Sequence, residues 1–225
     1  MSGPTIDELT VAGEPEAWAA LGFHVEDGAC HLAGVRVTFA RADSAASGAD
    51  GGSGLIAWSL RGLSSTALDG LPTRASSAAE RTPAPEHPNG VVAIDHVVAI
   101  SPDFPRSVKA LGDAGLDLRR VREEPTPAGA PRQAFFRLGA EILELVEEPE
   151  DVVARAGGRE RPVRFWGLAL VVGDIDRTVG LLEGHAGDVR AAVQPGRRIA
   201  TLRRSAGLSI PLALMSRDER VGAER

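Results

Sequence analysis

An α+β fold of tandem βαβββ modules, curling into a curved mixed β-sheet cup with helices outside, is predicted by three observations. The order strand–helix–strand–strand–strand can be read at 91–149 and again at 163–216, with a weaker copy in 1–69. The second and third copies open on apolar runs rich in β-branched residues, VVAIDHVVAI and VRFWGLALVV, which mark buried strands. A small sheet with one helix on one face leaves the other face uncovered, so it must pack against something or enclose a hollow. Two such units side by side form an eight-stranded cup whose inside is a natural small-molecule pocket.

In the first copy, TIDELTVAG (5–13) is the opening strand and EPEAWAALG a short helix. FHVEDG, CHLAGVRVTFA and GLIAWSLRG are the three following strands. The intervening ADSAASGADGGSG is rich in Gly, Ser and Asp and is expected to be flexible. Residues 70–90 carry Pro, Ser and Ala with little to bury and read as a linker. In the second copy, Ser101 is placed to cap the helix and Pro102 suits its first turn. Val108, Leu111 and Ala114 recur at helical spacing, and Gly115 stops the helix. LDLRRVREE, RQAFFRLG and AEILELVEE follow as strands, separated by turn signals. Residues 150–162 form a connector. In the third copy, GDIDRTVGLLEGHAG is the helix and VRAAVQ, RRIATLRR and LSIPLALMS are the strands, with a tail at 217–225. DIDRTV echoes DFPRSV, and both helices start from an acidic residue, which favours the positive helix end.

Composition narrows the function classes. The 225 residues are 43% hydrophobic and 25% charged with net charge −6, an ordinary globular balance. No clustered basic stripe suggests nucleic acid, and the net charge gives no reason to expect adhesion to anionic membranes. No apolar run reaches the ~18 residues that span a bilayer, and MSGPTIDELT lacks the features of a signal peptide. One cysteine, Cys30, permits no internal disulfide. A cytoplasmic protein is expected, with Cys30 a buried structural thiol.

The repeated unit, with IDHVV opening one copy and RQAFFRLGAEILELVE closing it, resembles the vicinal oxygen chelate superfamily. That group includes glyoxalase I, extradiol dioxygenases, fosfomycin-resistance enzymes and bleomycin-binding proteins. The resemblance covers 91–149 best, 163–216 less well and 5–62 weakly; ILELVEEP…RFWGLALVVGDID looks like glyoxalase-like proteins of unassigned activity. It implies a glyoxalase-like cup formed by 91–216, with the first unit lying against it or pairing with its counterpart in a homodimer. The rival arrangement pairs the first unit with the second.

The resemblance also implies a divalent metal (Zn, Ni, Fe or Mn) held by His and Glu from the first and last strands of paired units, acting as a Lewis acid. His96 and Glu144 sit at the two ligand positions of the second unit, and Glu144 could double as general base. In the third unit Gly167 and Leu212 align with them, and neither side chain can bind a metal. Pairing the first unit with the second would instead add Glu8, aligned with His96, with Ser59 near the fourth position. Other readings of His96 are a core histidine bonded to a backbone or carboxylate group, or a hydrogen bond to substrate. Glu144 could pair with Arg132 or Arg137, while Glu141 and Glu147 are expected to face solvent.

The candidate substrate contacts are Gln133, Phe135, Arg137, Trp166, Arg197 and Arg198. Gln133, Phe135 and Arg137 share a strand face by alternation, and inward arginines would suit a carboxylate or phosphate. Most arginines here have acidic neighbours and read as solvated surface. No Ser-His-Asp order, phosphate loop or calcium loop is present. The sequence therefore leaves three readings: a metal-dependent lyase, isomerase or dioxygenase; a metal-free cup that binds a small molecule; or a structural assembly module.

Overall fold

The computed structural model describes residues 3–40, 54–81, 86–126 and 129–218. The chain is α+β and builds two mixed sheets. The first region contributes β1 (Thr5–Ala12), α1 (Pro15–Ala20), β2 (Val25–Glu26), β3 (Ala29–Leu32), β4 (Val35–Ala40), β5 (Leu55–Arg61) and β6 (Thr73–Ser76). These strands form a six-stranded sheet in the order β2-β3-β4-β1-β5-β6. The second copy runs β7 (Val91–Ser101), α2 (Phe104–Asp113), β8 (Asp117–Arg122), β9 (Gln133–Leu138) and β10 (Glu141–Glu147). After α3 (Glu150–Arg155) the third runs β11 (Arg164–Val172), α4 (Ile175–Leu181), β12 (Arg190–Ala191), β13 (Arg198–Thr201) and β14 (Leu212–Met215). Together the second and third copies form one eight-stranded sheet, β12-β13-β14-β11-β7-β10-β9-β8.

In each of these two copies the first strand lies parallel to the last, β7 to β10 and β11 to β14. The two first strands then join antiparallel at the centre. The first copy follows the same rule through β1 and β4. Its module therefore closes at Ala40, and CHLAGVRVTFA is two strands with a turn at Ala33, whose φ is 53°. GLIAWSLRG is not its last strand, as the sequence reading had it. As β5 it pairs antiparallel with β1, in the place β11 takes beside β7, and β6 lies parallel to it within the stretch read as linker. The six-stranded sheet is thus one full module plus a two-stranded remnant of a second. The Gly/Ser/Asp-rich loop, apart from Gly54, lies outside the described residues.

One hydrophobic core spans both sheets. Trp58 on β5 meets Phe165 on β11 edge to face, with ring centroids 5.1 Å apart. Phe136, Leu143, Leu145 and Leu170 supply fully buried side chains from the other sheet. Each such side chain contributes about 1.5–3 kcal/mol relative to exposure. Cys30 is buried among them as expected, and burial pushes its thiol up to about 12. The helix start in the second copy differs from expectation. Asp103 is the N-cap, its carboxylate accepting from the Arg106 N–H at 3.1 Å. Ser101 instead pairs with Ser107 at 2.6 Å. Asp174 caps α4 in the same way as Asp103 caps α2.

Candidate active site in the cup

Each central strand carries a β-bulge, and the bulges position the functional side chains. On β7, His96 faces Ala169 and Ile94 faces Leu170, so Asp95 is an extra residue with no partner. A bulge sets two residues of one strand against one of the other and breaks the alternation of faces. Ile94 and Val97 both point into the core, leaving Asp95 and His96 together on the concave side. On β11, Phe165 faces Ala99 and Gly167 faces Val98, so Trp166 is the extra residue. The two bulges are exchanged by one approximate two-fold axis, which makes Gly167 the counterpart of His96. Glu144 faces Val98, and Ala213 faces Ala169. The counterpart of Glu144 is therefore Ala213, correcting the alignment with Leu212, which is buried in the core.

A line of charged groups crosses the floor of the cup. Glu144 Oε2 lies 3.2 Å from His96 Nε2, and Asp95 Oδ2 lies 2.8 Å from His96 Nδ1. Arg197 reaches Asp95 Oδ1 at 2.6 Å and donates through Nε to the Ser216 carbonyl at 2.9 Å. Gln133 donates through Nε2 to Glu144 Oε1. Burial raises the Asp95 carboxyl, but hydrogen bonds from His96 and Arg197, together with their charges, outweigh it and hold the group below the usual carboxylate range. Each ring nitrogen of His96 thus has a carboxyl oxygen beside it.

These residues do not fit the divalent metal that the family resemblance implies. His96 Nε2 is taken up by Glu144, and the opposite half of the cup offers Gly167 and Ala213. A Cβ built at Gly167 would lie 2.7 Å from the Pro211 carbonyl oxygen, so no ligand side chain enters there without a backbone shift. Glu8 does not join the pair. It lies on β1 in the other sheet and accepts from Arg36 at 3.1 Å. Glu8 does follow the bulge at Asp7, as His96 follows Asp95, but the strand partner in Glu144's place there is Thr38. Ser59 lies beside Asp7, at 3.4 Å. No group of three or more His, Cys, Asp or Glu able to hold a metal occurs among the described residues.

Above the floor the cavity measures about 690 Å³, within the range of small-molecule sites. Its walls are mainly apolar, with Val98, Ile100, Val146, Trp166, Leu168 and Ile199 among them. Trp166 is 47% exposed, whereas Trp18 and Trp58 are buried. Gln133 lines the cavity, and Phe135, the strand partner of Glu144, shares its face. Arg137 is exposed and outside the lining. Arg197 is committed to Asp95, and Arg198 to Asp176 at 2.8 Å, so neither is presented to the cavity as expected. Arg132 pairs with Glu147 through two bonds of 2.7 and 2.6 Å, not with Glu144. Glu147 is thereby tied down instead of solvated. Glu141 is 8% exposed against the expectation of a solvent-facing group, and burial pushes its carboxyl up.

No protein-family model matches the sequence, and no curated protein matches it. Similar solved structures include methylmalonyl-CoA epimerase from Mycobacterium tuberculosis, at 18% identity over 60% of this chain and 93% of that one, TM-score 0.47. A variant of Streptomyces coelicolor methylmalonyl-CoA epimerase in complex with 2-nitronate-propionyl-CoA is 18% identical over 55% and 95%, TM-score 0.43. A hypothetical protein from Bacillus halodurans C-125 is 17% identical over 55% and 93%, TM-score 0.43. The activity and ligand named there are those proteins' own. The strand order of this chain, two βαβββ modules joined through their first strands into one sheet, is that of a glyoxalase-like fold. Among the described residues no helix is long and apolar enough to cross a membrane.

Proposed function

We propose that the cup formed by 91–216 binds one small, largely apolar molecule without a metal, and that the polar end of that molecule meets the Glu144–His96 pair. The observation that carries this reading is the asymmetry of the cavity: a floor where His96 is paired with both Glu144 and Asp95 on one side, and Gly167 and Ala213 where a ligating half would stand. Trp166, Leu168 and Ile199 offer apolar surface to a guest, and the floor offers one hydrogen-bonding point to orient it. Glu144 and His96 are also the groups that would carry a proton if the bound molecule reacts.

A thermal-shift screen of small molecules, run with and without EDTA, tests the proposal. A ligand held at about 100 times its Kd adds about 2.7 kcal/mol, or roughly 5–11 °C for a chain of this length. Hits should keep their shift in EDTA and lose it in Ala213→Phe, which fills the cavity. Shifts that survive Ala213→Phe, or that EDTA removes, would contradict the reading.

A further inference from the structure

Among the charged residues that line the cup, one has no ion-pair partner among the described residues. Glu144 is paired with His96, Glu147 with Arg132, and Glu148 with both Arg161 and Arg164. The remaining charged lining residue is Arg190. Its partner across the β12–β13 ladder is Ile199, and directly opposed residues of an antiparallel pair share a face. Ile199 lines the cavity, so the Arg190 side chain stands over the same hollow. No carboxylate among the described residues reaches it. Its neighbour Arg198 is on the other face, bound to Asp176.

Two exposed apolar side chains line the same cavity as Arg190: Val193, 59% exposed, and Trp166, 47% exposed. At the opposite end of the cavity, Glu144 on β10 is already paired with His96, and among the described residues no free cation faces an anion there. A guest with one negative group therefore has one orientation that satisfies every contact: charge at the rim, apolar body over Trp166, and a neutral hydrogen-bonding end at the floor.

Resting on the reading of the cup as a ligand site, we infer that its natural occupant is a small amphiphilic anion whose carboxylate or phosphate is held by Arg190. A guanidinium offers paired donors that match either group, and such charge-assisted bonds are about twice as strong as neutral ones.

Trp166 supplies the readout, since the other two tryptophans are buried. The full-length protein is titrated at low salt with 1-naphthoate, 1-naphthyl phosphate and the neutral 1-naphthamide while tryptophan emission is followed. Trp166→Phe identifies the signal. One or both anions should bind at least fivefold more tightly than the amide, and which of the two leads tells carboxylate from phosphate. Arg190→Gln should bring the anions down to the amide's affinity while the amide's own affinity stays the same, which also shows that the variant is folded. About 0.5 M sodium chloride should narrow the difference in the same way, because an exposed pair is screened. If the amide binds as tightly as both anions, or the ratio survives Arg190→Gln, the anion assignment is wrong and the cup remains a ligand site. If none of the three changes Trp166 emission, the cup is not a ligand site and both readings fall.

Discussion

Replacing Asp95 by Asn keeps the shape of the floor and removes its central charge. Asp95 is mostly buried, at 15% side-chain exposure, and accepts from Arg197 at 2.6 Å while holding His96 at 2.8 Å. Hydrogen bonds to charged groups contribute about 1.5–3 kcal/mol each, against about 0.5–1.5 for neutral ones. Two bonds downgraded in this way lose about 2–3 kcal/mol. Arg197 is itself 14% exposed and would keep a charge with no counter-ion, which adds to the cost. A loss of about 3 kcal/mol at neutral pH corresponds to roughly 6–12 °C in Tm for a chain of this size. The pH dependence gives a second check. The Asp95 carboxyl titrates below its ordinary value in the folded protein. Its stabilisation is therefore complete above about pH 4, the unfolded value, and is lost as pH falls through the lower folded value. Urea unfolding of the two proteins should show the full gap near pH 7 and a shrinking gap below pH 4. A variant within about 0.5 kcal/mol of the parent at neutral pH would refute the claim that Asp95 anchors the floor.

Two further predictions concern other parts of the fold. Gly167→Ala places a Cβ 2.7 Å from the Pro211 carbonyl and should destabilise the protein by about 1–3 kcal/mol in chemical denaturation; an unchanged midpoint would show that β14 yields freely. His87 accepts the His24 backbone N–H on Nδ1 at 2.9 Å and lies 3.0 Å from the His31 carbonyl through Nε2. Burial holds it below the usual histidine value, so the unfolded chain binds a proton that the folded one refuses. Its contribution is complete above about pH 6.5 and declines as pH falls through and below that value. His87→Gln should therefore be less stable at pH 7.5 and lose less than the parent on going to about pH 5.5. Equal slopes would remove His87 from the account.

The module order was legible because apolar runs and turn signals recur in a fixed sequence, and that order implies a cup. His96 and Glu144 were legible as polar residues inside apolar strands, and the structure brings them together. Asp95 was not. Alternation puts it on the face opposite His96, and only the bulge, set by pairing with a distant strand, unites them. The signal was present in IDHV, where two polar residues stand between two apolar ones. The same long-range register moved the counterpart of Glu144 from Leu212 to Ala213. Arg197 and Arg198 could not be told apart from sequence, since which one reaches Asp95 and which Asp176 depends on where β12 and β13 pair. Glu141 was misjudged because its burial, to 8% exposure, comes from tertiary packing that strand alternation does not reveal.

The most direct test of a cup that works without a metal is elemental analysis of untagged protein produced with Zn, Ni, Fe and Mn supplied, alongside His96→Ala and Glu144→Ala. The donor set predicts far less than one metal per chain in all three proteins. About one metal per chain in the parent, lost in both variants, would contradict it.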